Sequence, residues 1–333
     1  MFEFFNTLLY PIKLGEAWVM YAWHWLFDAI GLRGDWAGWA WALSIVGLTV
    51  VVRLLLIPLF VKQIHSSRKM QLIQPEMQKI QKKYKGKRDP ESQKAQQAEI
   101  MDLYRRTGTN PFSSCLPILL QSPFFFALFQ LLNNLRAQAE GKAESVGPLT
   151  REVASRIESS TLFGARLSDY FLGSVGSNTK ILTAVLIVMM SATTFITQHQ
   201  LMRKNMPESV LDNPFAKQQK VLLYLMPIFF AISGVNFPIG VLLYWLTTNV
   251  WTMGQQFYVI RNMPAPGSAA ERALRERKKR RGQTMKELVV PGLTPDTDAD
   301  APAGDESSEP KPRQRTQPKS RKRAKNAPTK GRR

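Results

Sequence analysis

Cysteine and histidine are scarce in this chain of 333 residues, which has one Cys and three His. The single Cys115 excludes an internal disulfide, and no cysteine near the N-terminus can carry a lipid. His24, His65 and His199 are scattered, no His-Glu-x-x-His helix occurs, and there is no P-loop. Acid is also in short supply, with 25 Asp and Glu against 45 Lys and Arg. The long apolar runs hold no Asp or Glu, and they lack a paired-carboxylate, serine-dyad or zinc site for proteolysis within a membrane. These absences point away from an enzyme and from any metal or cofactor.

Long apolar runs dominate what is present. The mean hydropathy of −0.18 hides a division: residues 36–260 hold the apolar runs, and 261–333 are polar and charged. Five segments approach the ~20 residues needed to cross a hydrocarbon core, at 39–61, 112–134, 180–199, 219–235 and 239–258. Gly234-Val-Asn-Phe-Pro238 is a tight turn that pairs the last two as a helical hairpin. Segment 62–110 holds 12 Lys and Arg against 5 acids, the tail 261–333 holds 20 against 9, and 136–179 holds 5 against 5. The positive-inside rule therefore places 62–110 and the tail in the cytoplasm and 136–179 outside. An all-α integral membrane protein follows, with five spans, an outside N-terminus and a cytoplasmic C-terminus.

Residues 1–35 lack the basic start and cleavage pattern of a signal peptide. Glu3, Lys13, Glu16 and Asp28 interrupt their apolar residues, and Trp18, Tyr21, Trp23, Trp25 and Phe27 lie among them. This predicts an amphipathic helix lying in the outer interface; a sixth span, with the N-terminus inside, is the alternative.

Arg53 stands inside the first span among fourteen Leu, Ile, Val and Phe side chains of residues 41–61. Such an arginine costs about 2.5–3.5 kcal/mol on insertion scales, offset by about 0.3–0.6 kcal/mol for each apolar neighbour. The helix spans, but it carries a cation with no carboxylate in any span. Lys62, the first charge beyond, is ~13 Å further along at ~1.5 Å per residue, and an arginine side chain covers only part of that. A water-filled cavity lined by Arg53 is favoured over snorkelling, and Thr49, one turn earlier on the same face, adds a polar group.

In 62–110, Met70, Ile73, Met77, Ile80 and Tyr84 form a narrow apolar stripe, with Pro75 as a kink or break. Lys85-Gly-Lys-Arg-Asp-Pro90 is a turn, residues 91–106 form a second arm, and Gly108-Thr-Asn-Pro111 stops it. A mobile cytoplasmic helical hairpin is predicted. The tail, with seven Lys and Arg in 272–281 and eleven without an acid in 311–333, cannot bury enough apolar surface to fold alone. It is suited to polyanions, meaning ribosomal RNA or anionic lipid.

These features come in a characteristic order. Leu43-Ser44-Ile45, Thr49 and Arg53-x4-Pro58 are followed by Gln74-Pro75, Tyr84, Asn110-Pro111 and Cys115-Leu-Pro117. Then come Gln121-Ser-Pro123-Phe-Phe-Phe-Ala-Leu128, Met226-Pro227, Gly240-Val-Leu-Leu-Tyr244-Trp245, Asn249 and Gln255-Gln256. Over about 36–260 the chain resembles the YidC family of membrane-protein insertases, in the actinobacterial form without a large extracytoplasmic domain. The resemblance implies five helices around a hydrophilic groove that is open to cytoplasm and lipid. Arg53 and Thr49 match its groove positions. Gln121, Tyr244, Trp245 and Asn249 match motif positions and are further candidates for substrate contact. The implied partners are nascent membrane proteins, the ribosome, the Sec translocon, the signal recognition particle receptor and anionic lipids, in a bacterial plasma membrane. Two other classes fit parts of the sequence: a small-solute or anion carrier using Arg53, and a membrane adaptor tethering ribosomes. No inverted repeat supports the carrier.

Overall fold

The structure, a computed structural model, describes residues 2–87, 89–110, 116–173, 176–206, 221, 225 and 228–283. Its first helix, α1 (Phe2–Ala29), shows the pattern that recurs through the molecule. Lys13 and Glu16 are buried with Leu9, Ala17 and Met20, while Leu8, Trp18, Trp25 and Ile30 are exposed. The buried positions recur at helical spacing, so one face of α1 turns Lys13 and Glu16 inward together with Leu9, Ala17 and Met20. α1 packs on α2 (Ala37–Leu72) and α5 (Leu116–Asn133). The contact with α2 is close: a Cβ at Gly47 would lie 2.7 Å from the Trp23 ring, so only glycine admits that indole.

α2 is one helix of 36 residues, about 54 Å long at ~1.5 Å per residue. The ~30 Å hydrocarbon core cannot contain it. The first span therefore runs without a break past Val61 into the arm that the sequence assigns to the hairpin. It stops at Ile73, because Pro75 has no N–H and its ring obstructs the preceding turn. Pro75 instead takes the first turn of α3 (Gln74–Lys83), where a missing donor costs nothing.

α4 (Pro90–Thr107) starts with Asp89 accepting from the Ser92 N–H at 2.8 Å and ends with Gly108 in the left-handed conformation, φ 59°. α3 and α4 pair antiparallel, with Lys83 bonded to Glu99 and the Tyr104 hydroxyl 3.3 Å from Met77 Sδ. Ile73 and Leu103 are their only fully buried apolar side chains among the described residues, flanked by Met70, Met77 and Ile80.

Residues 134–173 form a compact cap. It contains α6 (Leu135–Ala139), α7 (Arg151–Ser159) and a small antiparallel pair, β1 (Thr161–Leu162) with β2 (Ala165–Arg166). Leu149, Ile157, Leu162 and Leu167 of the cap are buried in the same core as Ile45, Leu48, Leu131 and Leu242. α8 (Ser177–Asn205) and α9 (Ile239–Asn262) pack along one another. The first amides of α9 have no partner within the helix; cap carbonyls accept them, Ile239 N to Asp169 O and Gly240 N to Leu167 O, both at 2.9 Å.

Among the described residues, two helical stretches, 34–72 and 177–205, are long and apolar enough to cross a membrane, and the apolar helix 119–133 is shorter. α9 has the length, at 24 residues, but Thr247, Thr248, Asn249, Gln255 and Gln256 dilute its hydropathy. Much of the segment 219–235 lies outside the described residues, as do Pro111 to Cys115 and Met226-Pro227; 228–234 are helical.

The composition of 261–333 predicts a disordered tail, and its first part is not disordered. α10 (Ala269–Arg280) is capped by Ser268, whose Oγ accepts from the Glu271 N–H at 3.2 Å. It docks on α8 and α9: Leu274 is buried, Asn205 Oδ1 accepts from Ala265 N at 2.7 Å, and Arg277 donates to the Arg261 carbonyl at 2.7 Å. Composition misses this because one leucine, a cap and a buried amide suffice to hold a helix against an existing surface. Residues 284–333, including the eleven-charge end, lie outside the described residues.

Candidate functional site

Arg53 lies on the inward face of α2 with Ile45, Leu48, Thr49, Val52, Leu56 and Phe60, and only 6% of it is exposed. Its guanidinium carbon is 5.4 Å from the Phe60 ring centre, a contact worth ~0.5–2 kcal/mol. Nε is buried without a hydrogen-bond partner. Desolvating an ion costs several kcal/mol, so the ring contact alone does not offset it. The group is suited to water or to a visiting acceptor.

Tyr244, on the second turn of α9, is the hub. It is 2% exposed, and its hydroxyl accepts from the Gln121 side-chain amide of α5. The charges of Glu16 and Arg53 are felt at this hydroxyl, and Thr248 stands one turn further along the same face of α9. Gln121 of α5 and Tyr244 of α9 thus meet by a hydrogen bond in a largely apolar interior, with Arg53 of α2 near enough for its charge to be felt. Several of these atoms have no partner: Arg53 Nε, Gln121 Oε1, Thr248 Oγ1 and both oxygens of Glu16. Each such atom costs about 1–3 kcal/mol if left dry.

The remaining predicted residues are placed differently. Thr49 is 1% exposed, but its hydroxyl donates to the Ile45 carbonyl at 2.8 Å and so is engaged within its own helix. Trp245, one residue after Tyr244, turns away into an aromatic cluster, 5.0 Å from Phe230, 5.3 Å from Phe125 and 5.9 Å from Phe237. The Asn249 amide donates to Thr194 Oγ1 at 3.0 Å, tying α9 to α8. Arg53, Gln121 and Tyr244 come together; Trp245 and Asn249 brace the helix that carries Tyr244.

The sequence reading missed Glu16. No span contains an acid, yet α1 buries this carboxyl, so Arg53 is not the only buried ionisable side chain among the described residues. Burial pushes the Glu16 carboxyl well above the usual carboxylate range, which favours its protonated form. The signal was the stripe Leu9, Lys13, Glu16, Ala17 and Met20, whose spacing puts two charged residues on the face opposite Trp18 and Trp25.

Polar groups inside, with Leu55 71%, Val188 66% and Ile181 62% exposed outside, invert the arrangement of a water-soluble protein. An integral membrane protein is the class this defines. Residues 32–266 match the family described as 60Kd inner membrane protein, and the chain belongs to that family. A Streptomyces avermitilis protein named membrane protein insertase YidC is 48% identical over 275 residues, which cover 80% of this chain and 61% of that one. A protein of the same name from Tropheryma whipplei (strain Twist) is 41% identical over 298 residues, 85% of this chain and 94% of that one. The namesake in Bifidobacterium longum is 34% identical over 268 residues, 80% of this chain and 79% of that one. The resemblance carried by the ordered motifs is borne out.

Proposed function

We propose that this protein is a membrane-protein insertase and chaperone. It moves hydrophobic segments of nascent proteins from the cytoplasm into the bacterial plasma membrane through a hydrophilic groove open to lipid. The observation that carries this reading is a set of buried, unpartnered polar atoms, Arg53 Nε and Gln121 Oε1 among them, enclosed by helices whose outer faces carry exposed apolar side chains. An entering segment must take its polar flank across hydrocarbon, and a wet lane shortens the dry part of that path. Arg53 offers transient pairing to an acidic residue of the flank. Burial of the segment in lipid drives the step at about 0.8 kcal/mol per CH₂, without nucleotide chemistry and without a catalytic residue.

In this reading the core has five spans and an outside N-terminus. The α3–α4 hairpin lies in the cytoplasm, where it meets clients, and the basic C-terminal region contacts the ribosome or anionic lipid. The Sec translocon and the signal recognition particle receptor are further partners of the same proposal. The test is reconstitution of the purified protein alone in liposomes with a short single-span client. Protease-protected, membrane-integrated client is the expected result; none above protein-free liposomes refutes autonomous insertion.

A further inference from the structure

Beside the cap, a cavity of about 700 Å³ opens between the last turns of α1, the start of α2 and the end of α7, within the size range of small-molecule sites. Its walls are fixed. The His24 ring lies flat on Trp41, with centres 3.6 Å apart and planes within 8°, and Trp41 is buried. A Cβ at Gly38 would overlap the Thr161 carbonyl, so α2 and β1 meet there with no room to spare. Arg33 is held by Asp28, its Nε 2.9 Å from the carbonyl and 3.1 Å from Oδ1. Other groups lining the cavity are not committed. His24 Nδ1 is buried without a hydrogen-bond partner. Asp35, in the turn ahead of α2, has no ion pair among the described residues. Arg156 pairs with Glu152 one turn back on α7, and the two side chains are 70% and 76% exposed; such a pair contributes little and is readily exchanged. The groove mechanism uses none of these residues.

The lining selects the occupant. Two arginines balance two aspartates around the cavity, and burial lowers the His24 imidazole below its ordinary value, which keeps it neutral at neutral pH. A simple anion would face both aspartates and a simple cation both arginines. A zwitterion satisfies the two signs at once: its phosphate meets the planar fork of Arg156, and its ammonium donates to the Asp35 carboxylate. Trp25, Ile30 and Trp36, neighbours of lining residues along the chain, are 66%, 69% and 58% exposed. Exposed indoles of this kind mark the headgroup level of a bilayer, and α2 enters the membrane from here. We propose that this cavity binds the head group of a phospholipid carrying both a phosphate and a primary amine, with Arg156 on the phosphate and Asp35 on the ammonium. The acyl chains leave past Trp25, Ile30 and Trp36. In the five-span orientation the lipid comes from the outer leaflet, and it ties α1, α2 and the cap to the headgroup layer.

In the experiment the full chain in detergent is titrated with phosphatidylethanolamine, phosphatidylglycerol or phosphatidylcholine of identical acyl chains, and bound lipid is counted by native mass spectrometry. Phosphatidylethanolamine should bind about tenfold more tightly than the other two, the scale of one hydrogen bond to a charged group. Phosphatidylglycerol lacks the ammonium, and choline has no N–H to donate. Asp35→Asn should remove that preference, whereas Arg156→Gln should weaken all three lipids about tenfold, because all three carry the phosphate. Each variant should melt at the wild-type temperature without lipid. The wild-type chain also gives a readout that needs no variant: its melting temperature should rise with phosphatidylethanolamine and not with phosphatidylglycerol. Equal binding of the three lipids, a preference that survives Asp35→Asn, or an affinity unchanged in Arg156→Gln overturns the assignment. Free O-phosphoethanolamine binding as tightly as the lipid would overturn the lipid source and leave a site for a soluble zwitterion. Client insertion is not measured, so the outcome stands apart from the insertase reading.

Discussion

The Gln121 side chain donates its amide to the Tyr244 hydroxyl across the interior, joining α5 to α9 over 123 residues of sequence. Little else links these helices through polar contact, since Phe125 and Trp245 meet beside them by ring packing alone. Tyr244→Phe should therefore strand the whole Gln121 amide in a buried site and lower stability by about 1–3 kcal/mol. Gln121→Leu with Tyr244→Phe removes both partners and should recover part of that loss, so the two changes are not additive. Thermal unfolding in one detergent checks it; additive losses would show that the bond contributes nothing beyond its separate groups.

For Arg53, Lys should largely maintain insertion of clients with an acidic flank, because a mobile client cannot rely on one bidentate geometry. Arg53→Ala should reduce it by about tenfold, the scale of one buried charge-assisted bond, and Arg53→Glu should reduce it further through like-charge repulsion. Clients without a flanking acid act as the reference. Equal insertion by wild type and Arg53→Ala across acidic-flank clients would remove the pairing mechanism.

The hairpin should loosen in acid. Lys83 and Tyr84 hold the Glu99 carboxylate below its usual 4.5 through hydrogen bonds, so the unfolded hairpin binds the proton more readily than the folded one. This stabilisation is fully present above about 4.5 and is lost as pH falls through the lower folded value. Hydrogen exchange in α3 and α4, corrected for intrinsic rates, should show protection at neutral pH that declines below pH 4.5. Glu99→Gln should weaken that dependence, with Asp89, whose carboxyl is also held below its usual range by Ser92, supplying the remainder, while α8 and α9 are unaffected.

Orientation is testable by labelling in a Cys115→Ser background. A cysteine at Ser145 should react with an impermeant maleimide in intact cells, and one at Ser92 only after permeabilisation. The reverse pattern would reject the five-span orientation.

Local physics made several elements readable before any coordinates. Pro75 ended a helix, Asp89 and Gly108 bounded the next one, and the stripe through Met70, Ile73, Met77 and Ile80 marked the face that α4 covers. What could not be read was contact at long range. The charge of Glu16 suggests a solvated face, and only the packing of α1 on α2 and α5 reveals that it is buried. α10 was hidden for the same reason, since Asn205 and Ala265, which hold its approach, are 60 residues apart. Site residues divided along this line: Arg53 declares itself by its depth in an apolar run, whereas the separation of Tyr244 from Trp245 depends on the rotation of α9.

The cap binds the first amides of α9 through the Leu167 and Asp169 carbonyls and shares its core with the helices beneath. A passage through this end of the molecule would have to break two backbone hydrogen bonds and pull Leu149, Ile157 and Leu162 out of the core at once. Leaving sideways between helices asks only that lipid-facing side chains change neighbours, one hydrocarbon for another. Under the proposed insertase reading the cap would stay shut over a segment bound in the interior, and membrane rather than outside water would be its nearest exit.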